Sequence, residues 1–221
     1  MKPRPRSPAA PEPRPGRGTI ALAGSGLVLT AWAVYANSFS GPFIFDDLLS
    51  IPQNPTLHSL TTALAPPGGG VTVTGRPLLN LSFALNHALS GDQVWSYHAL
   101  NFLIHSLAGL TLFGIIRRTL AGPGANGGKP GAPASLFPGH EATFVAFAAA
   151  LFWTVHPLQT ESVTYIVQRA ESLMGLFYLL TLYCFIRGVE IRERVGSRSA
   201  GAGHTLSDRR AGHERRPKAG V

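Results

Sequence analysis

Cysteine is almost absent from this chain of 221 residues: Cys184 is the single one, and it lies inside an apolar run. An intrachain disulfide is therefore excluded, and so is a zinc site built from thiolates. Acidic residues are also few, 11 against 19 Lys and Arg, which leaves a net charge of +8. The chain carries no P-loop, no Rossmann glycine fingerprint and no GxSxG, so those phosphate-cradling and nucleophile-presenting loops have no counterpart here. Residues 189–221 contain neither an apolar span nor a repeat of about 34 residues.

What is present is apolar sequence in long blocks, with the basic residues kept out of them. Lys2, Arg4, Arg6, Arg14 and Arg17 crowd the N-terminus, and eight more Lys and Arg lie beyond Gly188. Basic ends of this kind suit the cytoplasmic side of a membrane by the positive-inside rule, so nucleic acid is not expected as a partner. Residues 1–18, rich in Pro and Arg, are expected to be disordered, as is the basic tail 188–221.

The expected fold is all-α, a multi-span helical membrane protein with about four spans and a large outer loop carrying short surface helices. Residues 19–36 hold no charge, and eighteen helical residues rise about 27 Å, close to the thickness of a hydrocarbon core. A signal peptide is the rival for this segment, because Val34-Tyr35-Ala36 offers a small-residue cleavage site, but its apolar stretch is longer than is usual. Further spans are expected at 95–116, 141–156 and 170–187, the third being short. Arg117-Arg118 and Arg187 close two of them. Charge places the N-terminus, the Gly/Pro-rich 119–140 loop and the tail in the cytoplasm. The 37–94 loop and the 156–170 segment then face the periplasm or a lumen.

Three constellations carry chemical potential. Asp46-Asp47 sits between Phe45 and Leu48-Leu49, about ten residues past the first span. Partly buried neighbouring carboxylates raise one another's proton affinity, which suits a general base or a divalent-cation ligand; an exposed acidic turn is the plain alternative. In residues 156–172, a helix from Gln159 onward would align Glu161, Thr164, Tyr165, Gln168, Arg169 and Ser172 on one polar face. Arg169 is then a candidate for binding a phosphate, and Glu161 for orienting it or an acceptor. The alternative is that the two only pair with each other or lie at the water interface. His98, Asn101 and His105 form a stripe in the second span, best read as interhelical hydrogen bonds.

Two smaller features lie in the outer loop. Arg76, between Gly75 and Pro77, opens a helix whose apolar residues recur from Leu78 to Leu89. This helix is expected to lie on the membrane surface, and Arg76 is a candidate anion site or an interfacial anchor. Asn80-Leu81-Ser82 matches a glycosylation acceptor.

In order, NSFSGPFIFDDLLSIPQNP, GRPLLNLSFALNHALSG, YHALNFLIHSLAGLTLF and ALFWTVHPLQTESVTYIVQRAESL resemble the N-terminal part of GT-C-class membrane glycosyltransferases. The likeness is to the protein O-mannosyltransferase-like family that is both transmembrane and tetratricopeptide-repeat-containing, and it covers roughly residues 30–188. It implies a polyprenyl-phosphate sugar as donor, a protein hydroxyl as acceptor and membrane lipid as surroundings. It also implies that Asp46 or Asp47 is the catalytic base. Arg169 and Arg76 become candidates for the donor phosphate, and His156 and Glu161 match the motif's HP and E positions. A divalent cation at Asp46 and Asp47 is a candidate cofactor. Family members continue with more spans and repeats, so the expectation is a truncated product of doubtful activity on its own. A non-catalytic scaffold or subunit is the alternative. A small ion-coupled transporter using His98, His105 and the aspartates is a second one.

Overall fold

The computed structural model describes residues 15–121 and 139–214, and every regular element among them is helical. The expected disorder of the first residues falls largely outside the described part, as does most of the 119–140 loop. Two units are distinguished, one reaching Leu180 and one from Thr181 onward.

In the first unit, α1 (Arg17–Tyr35), α4 (Val94–Ala121) and α5 (Gly139–Thr154) pack together. Small residues allow their close approach. Ala142, Ala146 and Ala150, spaced by four, are all fully buried on α5. Gly109 on α4 is the tightest point: a Cβ there would stand 2.6 Å from Thr154 Oγ1 and 3.1 Å from Leu27 Cδ2. Helices in lipid associate through such packing, because lipid tails are as apolar as the side chains.

Among the described residues three helices are long and apolar enough to cross a membrane: Arg17–Ser40, Val94–Ala121 and Ile166–Arg192. The short span expected at 141–156 is one arm of a broken pair, His140–Thr154 and Pro157–Thr164, bent by 53°. Pro157 supplies no N–H and forces His156 into an extended conformation (φ −64°, ψ 135°), which is why the helix stops there.

The segment between α1 and α4 is packed, with its own core. It contains α2 (Asp46–Ser50), α3 (Pro77–Ser90) and short 3-10 turns. Ile51, Leu57, Val73, Leu79 and Phe83 close on Tyr97 of α4 and on Ile166 and Val167. α3 buries Asn80 and Asn86 beside Leu79 and Phe83 and leaves Leu78, Leu85 and Leu89 exposed. A face of three exposed leucines fits the expected surface helix, with lipid on its outer side. Asn80, the acceptor of the sequon, is fully buried. It donates to Thr56 Oγ1 (2.9 Å) and Ala63 O (2.8 Å) and accepts from Asn54 Nδ2 (2.8 Å), which withdraws it from modification in this fold.

α6 (Thr160–Thr164) leads to α7 (Arg169–Glu214), whose later part forms the second unit. α7 is described as far as Glu214, and the last residues of the tail expected to be disordered lie outside the described part. No proline occurs between Arg169 and Glu214, and helix formers such as Arg, Glu and Ala recur, so nothing local ends the helix.

Candidate functional site

The two aspartates have opposite environments. Successive helical residues point about 100° apart, so α2 can bury one while presenting the other. Asp47 is 1% exposed. Its Oδ1 accepts the Val167 amide at 2.8 Å and its Oδ2 accepts the Ile44 amide at 3.1 Å. Asp46 is exposed, and its backbone N–H donates to Tyr165 Oη at 3.0 Å. The apolar flanks expected to bury the pair are themselves exposed: Phe45, at a left-handed φ of 45°, is 80% exposed. A side chain with a Cβ adopts that conformation only when its surroundings enforce it. Burial pushes the Asp47 carboxyl above its ordinary range and Asp46 adds to this, while the amides of Ile44 and Val167 and the charge of Arg169 pull it back.

The facing segment is not the continuous helix expected from the spacing. α6 ends at Thr164, Tyr165 is extended (φ −88°, ψ 114°), Ile166–Gln168 form a 3-10 turn, and α7 starts at Arg169. The break has a direct consequence. In an unbroken helix the Val167 amide would be committed to Val163 O. Here it reaches Asp47, while Val163 O and Ile166 O accept from Asn101 Nδ2 at 3.4 and 3.2 Å. The polar stripe is split by the same break. Glu161 stays exposed, accepting from Gln168 Nε2 at 3.4 Å, whereas Arg169 turns inward.

Arg169 is 0% exposed. Nε donates to Asn101 Oδ1 (2.6 Å), Nη1 to Asn86 Oδ1 (2.8 Å) and Ser82 Oγ (3.2 Å), and Nη2 to Tyr97 O (3.0 Å). Its guanidinium carbon lies 4.4 Å from the centre of the Phe83 ring. Every acceptor is neutral, so the charge is held by oriented dipoles and a π face. This cage is the feature that sequence reasoning missed. Asn86 and Ser82 were visible as polar residues in an apolar helix, but nothing local paired them with a residue more than 80 positions away.

The stripe on α4 forms bonds to other segments. His98 Nε2 donates to Gly41 O (3.0 Å) and His105 Nε2 to Thr154 O (2.8 Å), where Tyr35 Oη also donates (3.0 Å). Both histidines named for a transporter are therefore engaged in bonds to backbone carbonyls.

The remaining candidates lie apart from this network. Arg76 is exposed at the start of α3 and forms no ion pair with either aspartate. His156 is half-buried, and its Nδ1 accepts the Leu158 amide at 3.3 Å, capping the turn after the bend. Each Asp47 oxygen accepts one amide, and Asp47 is buried while Asp46 is exposed. Among the described residues no group of three or more His, Cys, Asp and Glu is arranged to hold a metal ion.

The structure thus defines an integral membrane protein of the all-helical class, with a packed segment that presents one carboxylate and buries its neighbour. Comparison with known proteins narrows this. Protein O-mannosyl-transferase TMTC2 of Mus musculus is 34% identical over 172 residues, 72% of this chain and 18% of that protein. Protein O-mannosyl-transferase TMTC1 of Mus musculus is 31% identical over 193 residues, 82% of this chain and 18% of that protein. Protein O-mannosyl-transferase TMTC3 of Homo sapiens is 30% identical over 171 residues, 73% of this chain and 16% of that protein. The chain is TMTC-like over most of its own length and spans less than a fifth of the length of these relatives. No known family model matches the chain. No solved structure matches it either.

Proposed function

We propose that this chain supplies the acidic outer segment of a membrane glycosyltransferase that moves a sugar, mannose by the names of its relatives, from a polyprenyl phosphate to a protein hydroxyl. The observation that carries this reading is the division of labour between the aspartates. Asp47 is locked by two amides, and it fixes Asp46 outward, beside Tyr165, where an acceptor can reach it. Asp46 is the general base. It takes the acceptor proton as the hydroxyl oxygen bonds to the anomeric carbon, and the bond from that carbon to the phosphate oxygen breaks. The phosphate departs with the electron pair, and attack from the opposite face inverts the centre.

The leaving phosphate gains charge, which cationic or hydrogen-bonding groups stabilise. Arg76 and His156 are the proposed groups, and Glu161 is proposed to orient the acceptor. Arg169, enclosed by its cage, meets no ligand in this arrangement. The 37–94 segment is assigned to the periplasm or lumen, with the N-terminus cytoplasmic, because of the unequal distribution of Lys and Arg.

The test is donor binding and transfer by the purified chain in detergent, using a polyprenyl-phosphate mannose and a Ser/Thr peptide. Asp46→Asn should lower transfer by about 100-fold or more while leaving donor binding within about threefold. Folded wild type that binds no donor, or transfer untouched by Asp46→Asn, would overturn the reading. In the second case the segment would be a scaffold.

A further inference from the structure

We infer that Arg169 is a positioning residue: from inside its cage it holds the 163–168 turn in the conformation that offers the Val167 amide to Asp47, and so fixes the outward placement of Asp46. The inference deepens the functional reading above and rests on it for the meaning of Asp46, but the coupling itself is a property of the fold. The connection is continuous. Arg169 Nε engages Asn101 Oδ1, and the same amide group of Asn101 ties down Val163 O and Ile166 O. Those carbonyls bracket the break at Tyr165, and the next amide, Val167, bonds to Asp47. On the other side, Asn86, Ser82 and Tyr97 O anchor the guanidinium to α3 and α4.

Charge adds a second link. The cage contains no carboxylate, so the buried cation and the buried Asp47 are each other's opposite charge across the turn. The other ionisable groups acting on this spot are Asp46 on α2, Tyr165 and Glu161 on the facing segment, and Tyr97 and His98 on α4. Of these, His98 alone could carry a second positive charge, and its Nε2 is turned to Gly41 O. Removal of the Arg169 charge leaves a buried carboxylate uncompensated, which acid relieves by protonation. Removal of the fork with the charge retained loosens the turn without that relief.

The experiment is amide hydrogen exchange on the full chain in detergent between pH 5 and 8, corrected for intrinsic rates. Peptides covering 42–50 and 163–168 are read against α1 as an internal reference. In Arg169→Lys both peptides should exchange about tenfold faster than in wild type, by the same factor at every pH, with α1 unchanged. In Arg169→Met they should exchange faster still near pH 8 and recover protection as the pH falls. If Arg169→Met does not fold, Arg169→Lys alone decides. Unchanged exchange in Arg169→Lys, an equal rise in α1, or an Arg169→Met defect indifferent to pH would overturn the inference. Because exchange is read without substrate, none of these outcomes depends on whether the chain transfers a sugar.

Discussion

The carboxylate of Asp47 accepts the amide of Val167, 120 residues further along the chain, at 2.8 Å. One bond thus joins the acidic segment after the first span to the break before the last. It explains how two adjacent aspartates come to differ, since the one that closes this bond is no longer available to a substrate.

Substitution should separate them. Asp46→Asn should leave the melting temperature unchanged within error, because its side chain is exposed. Asp47→Asn should destabilise by about 1–3 kcal/mol, because an amide NH2 would then face one of the two N–H donors that the carboxylate accepts. Thermal unfolding of the two variants in detergent checks this, and equal loss in both would contradict the assignment.

The pH dependence has a defined sign. Burial holds the Asp47 carboxyl above its ordinary value, so between the ordinary and the raised value the native state binds the extra proton. Its contribution is complete below the unfolded carboxylate value of about 3.9 and is lost as pH rises through the folded one. The stability gap between wild type and Asp47→Asn should therefore widen on acidification through that window. Melting curves at stepped pH would show it, and a gap that narrows would reverse the sign.

Gly109→Ala should destabilise by about 1–3 kcal/mol, since its methyl would meet Thr154 Oγ1 at 2.6 Å. The displaced residue is the one whose carbonyl accepts from both Tyr35 and His105. Gly24→Ala meets only the flexible end of Leu110, at 3.3 Å, and should be milder. Comparison of the two variants by thermal unfolding tests whether α1, α4 and α5 converge at Gly109.

Asn80→Ala should be among the most damaging changes in the outer segment, lowering stability by about 2–3 kcal/mol or more. It removes the shared partner of Asn54, Thr56 and the Ala63 carbonyl from a closed interior. A glycan should not be found on Asn80 in a cell with the appropriate machinery. A mobility shift abolished by Asn80→Gln would show that this interior opens.

The sequence by itself determined the class. Apolar blocks of spanning length and bases confined to their flanks dictate a helical membrane protein, because these follow from local length and charge, whereas the bend at Pro157 was found only in the structure. It also singled out Asp46, Asp47, Arg169 and the α4 stripe, as polar residues that an apolar neighbourhood has to explain. What it did not determine was which way they face. Helical spacing placed Glu161 and Arg169 on one stripe, but the extended Tyr165 breaks the register, and a one-residue break is decided by what lies across from it. Only the tertiary structure decided that Asp47 points inward and Asp46 outward, and that Arg169 is caged by Asn86, Asn101 and Ser82. These pairings link residues 68 to 120 positions apart. Their stability comes from satisfying buried polar groups together, and no local pattern records which distant partner a buried group will find.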